Sequence, residues 1–334
     1  MKKAYCLYSN NHTVTDYYMD IIKLAFVKVG YDVEELLTTT KVIDKQSPLI
    51  VNSSMAFFRC YVRGYKNIVM WSQGIVPEES YMRNHSKWRF WLLSALEKWA
   101  LKHAKMNLFV SETQKVFYMN KYGIELDKNS YIMPCYNCEL VEDSFYTPQK
   151  YQKNIFCFAG SCVAVWQYFD ATLDFYKKIE KKYGDKVSLK ILSPNKDEAL
   201  KKIKDKQIRY YSIEYVSSEQ LPERLADCKF GLLLREDCAV NNVATPTKLS
   251  TYMSCGLIPV VSMCIKDFEK RMRGDRNFAL INNELDPDNV VELIENPPLA
   301  EDVLASYKHY WDLNYNTERH IDNIAALISN VFNG

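Results

Sequence analysis

Two basic residues flank the loop whose residue types are best suited to chemistry. Arg235 follows the apolar run Phe230–Leu234, and Lys248 stands directly ahead of another apolar stretch. Thr245 is a good N-cap and Pro246 suits a first helical turn, so the pattern predicts a helix that begins here. A helix N-terminus attracts anions but disfavours a cation in its first turn. The two cations therefore predict a site for a bound polyanion. The alternative is a surface lysine and an arginine that pairs with a neighbouring carboxylate.

A second candidate loop follows the apolar run Asn154–Ala159. Gly160 permits close approach of the backbone to a ligand, and Ser161 can donate a hydrogen bond to a phosphate. Trp166 is predicted either to wall a binding site or to belong to the core. Two later loops follow strand-like runs in the same way, at Ser193 and Val216. One interpretation is that these two loops face the base and ribose of a bound nucleotide. The alternative is that each loop is a turn with a helix cap.

Polar residues in the first half of the chain follow strand-like runs too. Gln73 and Gly74 come after a buried run, with Glu78 shortly behind them, and Asn11 and His12 end the first run. Carboxyl ends of parallel strands share one edge of a sheet, so these residues are predicted to face the same side. His12 is a candidate general base; the alternative is a surface histidine that forms hydrogen bonds.

Residues 83–105 form a basic segment with three tryptophans. Trp88, Trp91 and Trp99 recur at helical spacing, and Glu97 is the one acid among many cations. Two of the basic residues lie among the tryptophans, at Arg89 and Lys98. One interpretation is a helix that lies on an anionic membrane surface. The other is a helix that packs on its sheet and exposes a solvated basic face.

The elements that position these residues alternate between short apolar strands and amphipathic helices, and the pattern begins again after residue 153. Such alternation predicts an α/β protein in which helices cover both faces of parallel sheets. We expect a Rossmann-like domain at 1–147, a second at 148–310 and a terminal helical segment at 311–334. Two such domains place a cleft between them, with ligands beyond the carboxyl ends of the strands.

Composition excludes several classes of protein. The chain has 334 residues, of which 48% are hydrophobic and 25% charged, and a net charge of +2. These values exclude a disordered chain and give no overall field to hold nucleic acid. The ten glycines argue against a glycine-rich phosphate loop. No apolar run is long enough for a signal peptide core or a spanning helix, and most cysteines fall in apolar runs, which favours a cytoplasmic protein.

Metal and nucleophile motifs are weak in this sequence. The pair Cys135 and Cys138 has no second pair at zinc-ligand spacing, and Asp286-Pro287-Asp288 precedes a helical tail rather than ending a central strand. The sequence contains no HExxH motif, no P-loop and no nucleophile elbow. We therefore predict no metal site.

The strongest motif resembles a known donor-binding segment. Residues 234–261 are similar to the pattern R-E…N-x-x-x-S/T-P-x-K-x-x-E-Y-x-x-x-G-x-P-V, and Gly160-Ser161 with Trp166-Gln167 to a strand-end pattern G-S…W-Q. Gln73–Ser80 and Asn107–Glu112 match two segments of the first domain in the same relatives. The chain thus resembles glycosyltransferases of the two-Rossmann GT-B fold, most closely family 4 retaining enzymes of bacterial capsular or surface polysaccharide synthesis.

The resemblance implies a fold and a reaction. Two Rossmann-like domains face each other across a cleft, and the C-terminal helix crosses back to the first domain. The enzyme is retaining and metal-independent, and it needs no cofactor beyond a nucleotide diphosphate-sugar as donor. The acceptor is a glycan or a lipid-linked sugar, nucleic acid is not a partner, and the protein works in the cytoplasm at the inner face of the plasma membrane.

The resemblance also implies residue roles. Arg235 and Lys248 hold the diphosphate and stabilise charge on the leaving group, with Glu236 beside them. The donor side comprises Gly160, Ser161, Trp166, Ser193, Val216, Thr245, Thr247 and Thr251. The acceptor side comprises Asn11, His12, Gln73, Gly74 and Glu78. The membrane surface comprises Trp88, Arg89, Trp91, Lys98 and Trp99.

One departure from the family pattern leaves other functions open. Relatives usually have a glutamate, which holds donor hydroxyls, where this chain has Thr251. The alternatives are a sugar-nucleotide epimerase or hydrolase of the same fold, with Glu78, Glu79 and Glu236 as acid and base candidates, or a relative that binds nucleotide sugars without turnover.

Overall fold

The structure is a computed structural model that describes residues 2–7, 13–36, 44–217 and 219–332, and the side chains of all of these except 13–16. The chain divides into two compact units. The first contains Met1–Asn137 and Leu313–Gly334, and the second contains Cys138–Asp312. Each unit is built on one six-stranded parallel sheet.

The sheet of the first unit has the strand order β2-β1-β3-β4-β5-β6, and every pair is parallel. Its strands are mostly buried and apolar, as expected for a parallel sheet covered on both faces. The strands are β1 (Lys2–Leu7), β2 (Tyr31–Leu36), β3 (Leu49–Val51), β4 (Ile68–Ser72), β5 (Met106–Phe109) and β6 (Ser130–Ile132).

Five helices of the first unit connect these strands: α1 (Thr13–Lys28), α2 (Ser54–Val62), α3 (Val76–Asn84), α4 (Lys87–His103) and α5 (Glu112–Tyr122). Serine side chains at Ser53, Ser86 and Ser111 accept a backbone N–H in the first turn of α2, α4 and α5. The segment Gln73–Ser80 carries no clear helical pattern in the sequence, yet α3 begins within it at Val76. Pro77 lies in its first turn, where a missing N–H costs nothing.

The sheet of the second unit has the order β12-β11-β10-β7-β8-β9, again all parallel. The chain starts at β7, builds outward to β9 and then returns to the other side of β7 with β10. This is the Rossmann order, and its direction reverses between β7 and β10. The strands are β7 (Asn154–Ala159), β8 (Val187–Leu192), β9 (Tyr211–Glu214), β10 (Phe230–Leu233), β11 (Ile258–Ser262) and β12 (Ala279–Ile281).

The remaining helices are α6 (Phe169–Tyr183), α7 (Lys196–Asp205), α8 (Leu221–Leu225), α9 (Ala239–Asn242), α10 (Lys248–Ser254), α11 (Lys266–Met272), α12 (Asp288–Glu295), α13 (Ala300–Asn314) and α14 (Thr317–Phe332). The sequence prediction missed α9, α11 and β12, which are short elements with no extended periodic pattern. It also treated the tail from residue 286 as helical throughout, whereas breaks separate α12, α13 and α14.

The segment that precedes β7, from Cys138 onward, is part of the second unit. Phe145, Lys150 and Tyr151 are buried there. The Lys150 ammonium donates to the carbonyls of Ala226 and Cys255 at 2.8 and 2.6 Å, and the Tyr151 hydroxyl to that of Gly256 at 2.9 Å. These contacts place the division at 137/138, ten residues before the predicted 147/148.

The C-terminal helix α14 packs on α1 in the first unit. Lys28 pairs with Asp322, and the Tyr131 hydroxyl lies 2.8 Å from His320 Nδ1. The chain therefore returns to its first unit after completing the second.

Candidate functional site

The best-formed candidate site lies in the second unit, at the carboxyl ends of β7 and β10. These two strands are adjacent, and the strand order reverses between them. Open parallel sheets bind ligands at such a switch point. Gly160 follows β7 and Arg235 lies just beyond β10, so the fold brings together two loops that the sequence marked independently.

Two cations meet at this edge on a single neutral oxygen. Gln167 Oε1 accepts hydrogen bonds from Arg235 Nη1 at 2.8 Å and from Lys248 Nζ at 2.6 Å. Arg235 Nη1 also donates to the carbonyl of Trp166 at 2.9 Å. Among the residues that the structure describes, neither cation forms a salt bridge with a carboxylate. The sequence-based alternative, in which Arg235 pairs with Glu236 or Asp237, is therefore wrong.

Burial and mutual repulsion shift the titration of both cations. Arg235 is 6% exposed, and this burial lowers its pKa to about 10. Lys248 has its pKa lowered well below the usual range, first by burial and then by the nearby positive charge of Arg235. A bound anion would relieve both effects. The positive charge of the pair Arg235 and Lys248 would therefore attract an anion to this edge of the sheet.

A glycine makes room for Lys248. Gly160 has φ +138°, a conformation that side chains rarely adopt. A Cβ at this position would lie 2.7 Å from both Cε and Nζ of Lys248. The ammonium also lies 4.1 Å from the centroid of the Phe158 ring. The lysine side chain therefore crosses the end of β7, and only glycine permits that path.

Helix α10 delivers Lys248 because Tyr252 anchors the helix to the sheet. Tyr252 is fully buried, and its ring lies over Gly231 of β10. Its hydroxyl accepts the N–H of Ala159 at 2.9 Å and donates to the carbonyl of Leu232 at 3.3 Å. One tyrosine thereby ties α10 to β7 and β10, one helical turn from Lys248.

The start of α10 differs from the prediction. The helix begins at Lys248 with Thr247 as N-cap residue, and no side-chain hydrogen bond caps it. Thr245 is buried two residues ahead of that position, so its predicted N-cap role is wrong. The Thr251 hydroxyl donates to the carbonyl of Thr247 at 3.2 Å, within the helix.

Other predicted donor-side residues surround the end of β8. The Ser161 hydroxyl donates to Asn195 Oδ1 at 2.9 Å, and the Asn195 N–H donates to Ser193 Oγ at 3.1 Å. Two predicted residues stand apart from this network. Val216 follows the edge strand β9, and Glu236 is exposed, with its carbonyl accepting from Asn241 Nδ2 at 3.0 Å.

The predicted acceptor residues of the first unit border a separate cavity of about 300 Å³ at the carboxyl ends of β3 and β4. Gln73 and Gly74 line this cavity. The acidic residue of the same segment that lines it is Glu79, whereas the predicted Glu78 does not. Successive residues of a helix point about 100° apart, so α3 turns the two side chains in different directions. Asn11 and His12 lie outside the described residues.

Glu78 instead joins a buried ionic cluster behind the cavity. Its carboxylate lies 2.6 Å from Lys121 Nζ, which is 3.8 Å from Glu97. Glu97 is 1% exposed and accepts from the Tyr122 hydroxyl at 2.7 Å. Burial raises the pKa of Glu97 to about 7 against the lowering effect of Tyr122 and Lys121. The sequence feature that could have identified Glu97 is that it is the one acidic residue in the basic helix α4.

The tryptophans of α4 fall on two different faces. Trp88 and Trp91 are 75% and 71% exposed, beside exposed Leu92. Trp99 packs on α2, with its ring centroid 4.6 Å from that of Tyr61. The buried face of α4 is formed by other residues, namely Ser94, Glu97, Ala100 and Leu101. The interpretation that the tryptophans pack on the sheet is therefore wrong for Trp88 and Trp91, which are exposed. Trp99 is not part of that exposed surface, because it packs on α2.

Two features are absent from the part of the chain that the structure describes. No group of three or more His, Cys, Asp or Glu side chains among these residues is placed to hold a metal ion. In the same residues, every helix falls short of the length and apolarity that a membrane span requires.

Comparison with known proteins gives structural matches only. No protein-family model matches the chain, and no curated protein matches its sequence. Solved structures match at low identity. A sucrose-phosphate synthase from Thermosynechococcus elongatus superposes with a TM-score of 0.71 at 10% identity, over 100% of both chains.

Two further structures match with their ligands bound. S. aureus TarM, as a mutant in complex with fondaparinux, α-GlcNAc-glycerol and UDP, gives a TM-score of 0.63 at 16% identity over 88% of this chain. This chain spans 57% of the TarM length. An E. coli trehalose-6-phosphate structure bound with UDP-2-fluoro glucose gives 0.61 at 12% identity over 95% of this chain and 78% of the other.

These similarities establish the fold. Each unit of this chain is a parallel six-stranded sheet flanked by helices, and together with the structural matches this confirms the predicted GT-B fold class of two Rossmann-like units.

Proposed function

We propose that the chain is a glycosyltransferase that moves a sugar from a nucleotide diphosphate-sugar to a glycan or lipid-linked acceptor. The observation that carries the proposal is the pair Arg235 and Lys248 on Gln167, two cations with no salt-bridge partner among the described residues. A diphosphate matches such a site in charge and in hydrogen-bond acceptors. UDP and a UDP-sugar are bound in two structures of the same fold.

In the proposed reaction the two cations act on the leaving group. Negative charge grows on the departing diphosphate as the bond to the sugar breaks, and Arg235 and Lys248 stabilise it from fixed positions. The acceptor hydroxyl attacks from the same face, and its proton passes to the leaving phosphate, so the sugar retains its configuration. The cations take the role that a metal ion has elsewhere. We therefore propose that the enzyme is retaining and metal-independent.

The test is the variant Lys248→Ala, measured by calorimetry with UDP. Removing one partner from a buried charged contact costs about 2 kcal/mol or more, which corresponds to a roughly 30-fold weaker Kd. Lys266→Ala removes an exposed lysine of the same unit and serves as the matched control. Unchanged UDP affinity in Lys248→Ala would contradict the assignment of this loop. Loss of sugar transfer upon addition of EDTA would contradict the metal-independent mechanism.

A second candidate is a protein that binds nucleotide sugars without turnover. Thr251 supports it, because its short side chain donates to a backbone carbonyl where relatives resembling this chain carry a carboxylate. Tight UDP-sugar binding without sugar release, across a panel of acceptors, would favour this candidate. An epimerase or hydrolase would instead convert the donor in the absence of any acceptor.

We also propose that the first unit contacts the inner face of the plasma membrane, in keeping with a role in surface polysaccharide synthesis. Trp88, Trp91 and Leu92 are exposed on α4. Exposed basic residues lie beside them, among them Lys87, Arg89 and Lys98. Tryptophan favours the headgroup region, and lysine and arginine are attracted to anionic lipid.

Vesicle sedimentation tests the membrane contact. The protein should bind vesicles that contain phosphatidylglycerol and remain free of pure phosphatidylcholine vesicles. Replacing both Trp88 and Trp91 by Ser should abolish binding, whereas Tyr215→Ser, at a 61% exposed aromatic of the second unit, should not. Equal binding to both vesicle types would contradict the electrostatic part of the proposal.

A further inference from the structure

The cavity of the first unit is bordered by buried hydroxyls that have no partner. Ser54 and Ser72 are 7% and 4% exposed, and both line the cavity. Neither Oγ atom has a hydrogen-bond partner among the described residues. A buried polar atom left in this state costs free energy, and native proteins rarely tolerate it without a reason. Two such hydroxyls on one cavity indicate a ligand that exchanges hydrogen bonds with them.

The charges around the cavity are of one sign. Glu79 and Glu97 line it, and the described lining contains no Lys, Arg or His. The nearest cation of the cluster behind it, Lys121, already pairs with Glu78. Burial raises the pKa of Glu79, and the exposed Arg83 on the same helix acts in the opposite direction. A phosphate or carboxylate placed in the cavity would therefore meet the acidic side chains of Glu79 and Glu97, and the described lining holds no cation to pair with it.

The loop between β4 and α3 is shaped to present one of these carboxylates. A Cβ at Gly74 would lie 2.0 Å from Oε1 of Glu79, so the glycine leaves the space that the carboxylate occupies. The Tyr118 hydroxyl donates to the Gly74 carbonyl at 2.7 Å and holds the loop from the other side. A ligand hydroxyl can donate to Glu79, since a carboxylate accepts hydrogen bonds strongly.

We infer that this cavity binds an uncharged, hydroxyl-bearing sugar ring of the acceptor and rejects sugars that carry phosphate or carboxylate. The inference rests on the proposed function and adds the chemical class of its acceptor. A volume of about 300 Å³ is at the lower limit of ligand pockets, so one ring fits and a longer glycan must extend outside. The residues that discriminate are Glu79, Ser54 and Ser72.

The experiment compares three glycosides that differ only at C6: an alcohol, a carboxylate and a phosphate. Binding to the full chain is measured by ligand-observed NMR in the presence of saturating UDP. We expect the alcohol to bind roughly ten-fold or more tightly than either anion, because juxtaposed like charges cost several kcal/mol. Binding of an anionic glycoside as tight as that of the alcohol, or no binding of any of them, overturns the inference.

Two variants separate the charge effect from general damage. Glu79→Gln should reduce the preference for the alcohol to a few-fold, because the repulsive charge is gone while an acceptor oxygen remains. Glu125→Gln removes an exposed acid of the same unit and should keep the preference. Ser72→Ala should weaken binding of the alcohol glycoside several-fold and leave the order of affinities of the three glycosides unchanged. An unaltered preference in Glu79→Gln overturns the role of this residue.

The same samples distinguish this inference from the proposed function. UDP binding depends on Lys248 in the second unit, whichever glycoside is preferred. If UDP binds and Lys248→Ala weakens that binding as expected while anionic glycosides are favoured, then only the acceptor class is wrong. If UDP does not bind at all, then the proposed function itself fails.

Discussion

Gln167 occupies an unusual position between two positive charges. A carboxylate there would cancel one of the two positive charges of Arg235 and Lys248, whereas the amide oxygen accepts from both and leaves both charges in place. The residue thus holds the cations in position without competing with an anionic ligand. Its role is that of a positioning residue, since it contacts the cations rather than the reacting atoms.

The variant Gln167→Glu tests this role. A built-in carboxylate should weaken UDP binding roughly ten-fold or more, because the diphosphate must then approach a site that has lost one positive charge and gained a like charge beside the ligand. Binding of uridine, which lacks phosphate, should not change. Calorimetry with both ligands measures the difference, and Gln152→Glu, at an exposed glutamine of the same unit, is the control. A parallel loss of uridine binding would point to structural damage instead.

Glu97 makes stability depend on pH. Its pKa is about 7 in the folded protein and about 4.5 when unfolded, so the folded state binds the proton more tightly. The resulting stabilisation is complete below pH 4.5 and is lost as the pH rises through 7. Two to three pKa units correspond to about 3 kcal/mol.

Glu97→Gln should remove this dependence, because glutamine mimics the protonated acid. The free energy of unfolding in urea is measured for both proteins at pH 5 and pH 8. Between pH 5 and pH 8 the free energy of unfolding of the wild type should fall by about 2 to 3 kcal/mol more than that of the variant. Glu125→Gln should behave as wild type. A constant difference between wild type and Glu97→Gln at both pH values would contradict the raised pKa.

At the scale of elements, the anion site depends on how closely α10 approaches the end of β7. Tyr252 fixes that approach, and Gly160 accommodates it. The site is therefore a junction between a strand end and a helix, and its precision comes from packing rather than from a flexible loop.

Gly160→Ala should damage the junction in two ways. The positive φ is strained for alanine, which costs about 1 kcal/mol, and the added Cβ displaces the Lys248 side chain. Gly184→Ala provides the matched control, since Gly184 has φ +60° and a methyl group added there would meet no atom of the described residues within 4 Å. Both variants should lose stability in thermal unfolding, and only Gly160→Ala should also lose UDP affinity. Equal UDP affinity in the two would contradict the close approach.

At the scale of the whole molecule, the small net charge of +2 conceals an uneven distribution. Cations collect on α4 in the first unit and at the β7–β10 edge in the second, while carboxylates line the cavity of the first. The cavity of the first unit and the β7–β10 edge of the second therefore differ in electrostatic character, with acidic side chains at one and cations at the other.

Nucleotide binding should stabilise the chain by mass action. UDP at a hundred times its Kd should raise the free energy of unfolding by about 2.7 kcal/mol. Hydrogen exchange followed by mass spectrometry should slow at the ends of β7 and β10 and in α10. Slowing confined to the first unit would contradict the placement of the donor site.

Local patterns in the sequence predicted much of the fold. The apolar run Asn154–Ala159 coincides with β7, and the run Phe230–Leu234 exceeds β10 by one residue, because apolar patterns act within a few residues of each other. Short elements such as α3 and α11 have no extended periodic pattern, so the sequence alone does not predict them.

Patterns along the chain are enough to predict two parallel α/β units and to place Arg235 and Gly160 after strand ends, with Lys248 at the start of a helix. The packed units are needed to show that Gln167 joins the two cations, that Glu79 rather than Glu78 lines the cavity, and that Trp99 lies on a different face from Trp88 and Trp91. The difference lies in the distance along the chain over which the interactions act. Strand and helix patterns arise from neighbours along the chain, whereas these contacts join side chains from different elements, whose rotation and spacing are fixed only when the units pack.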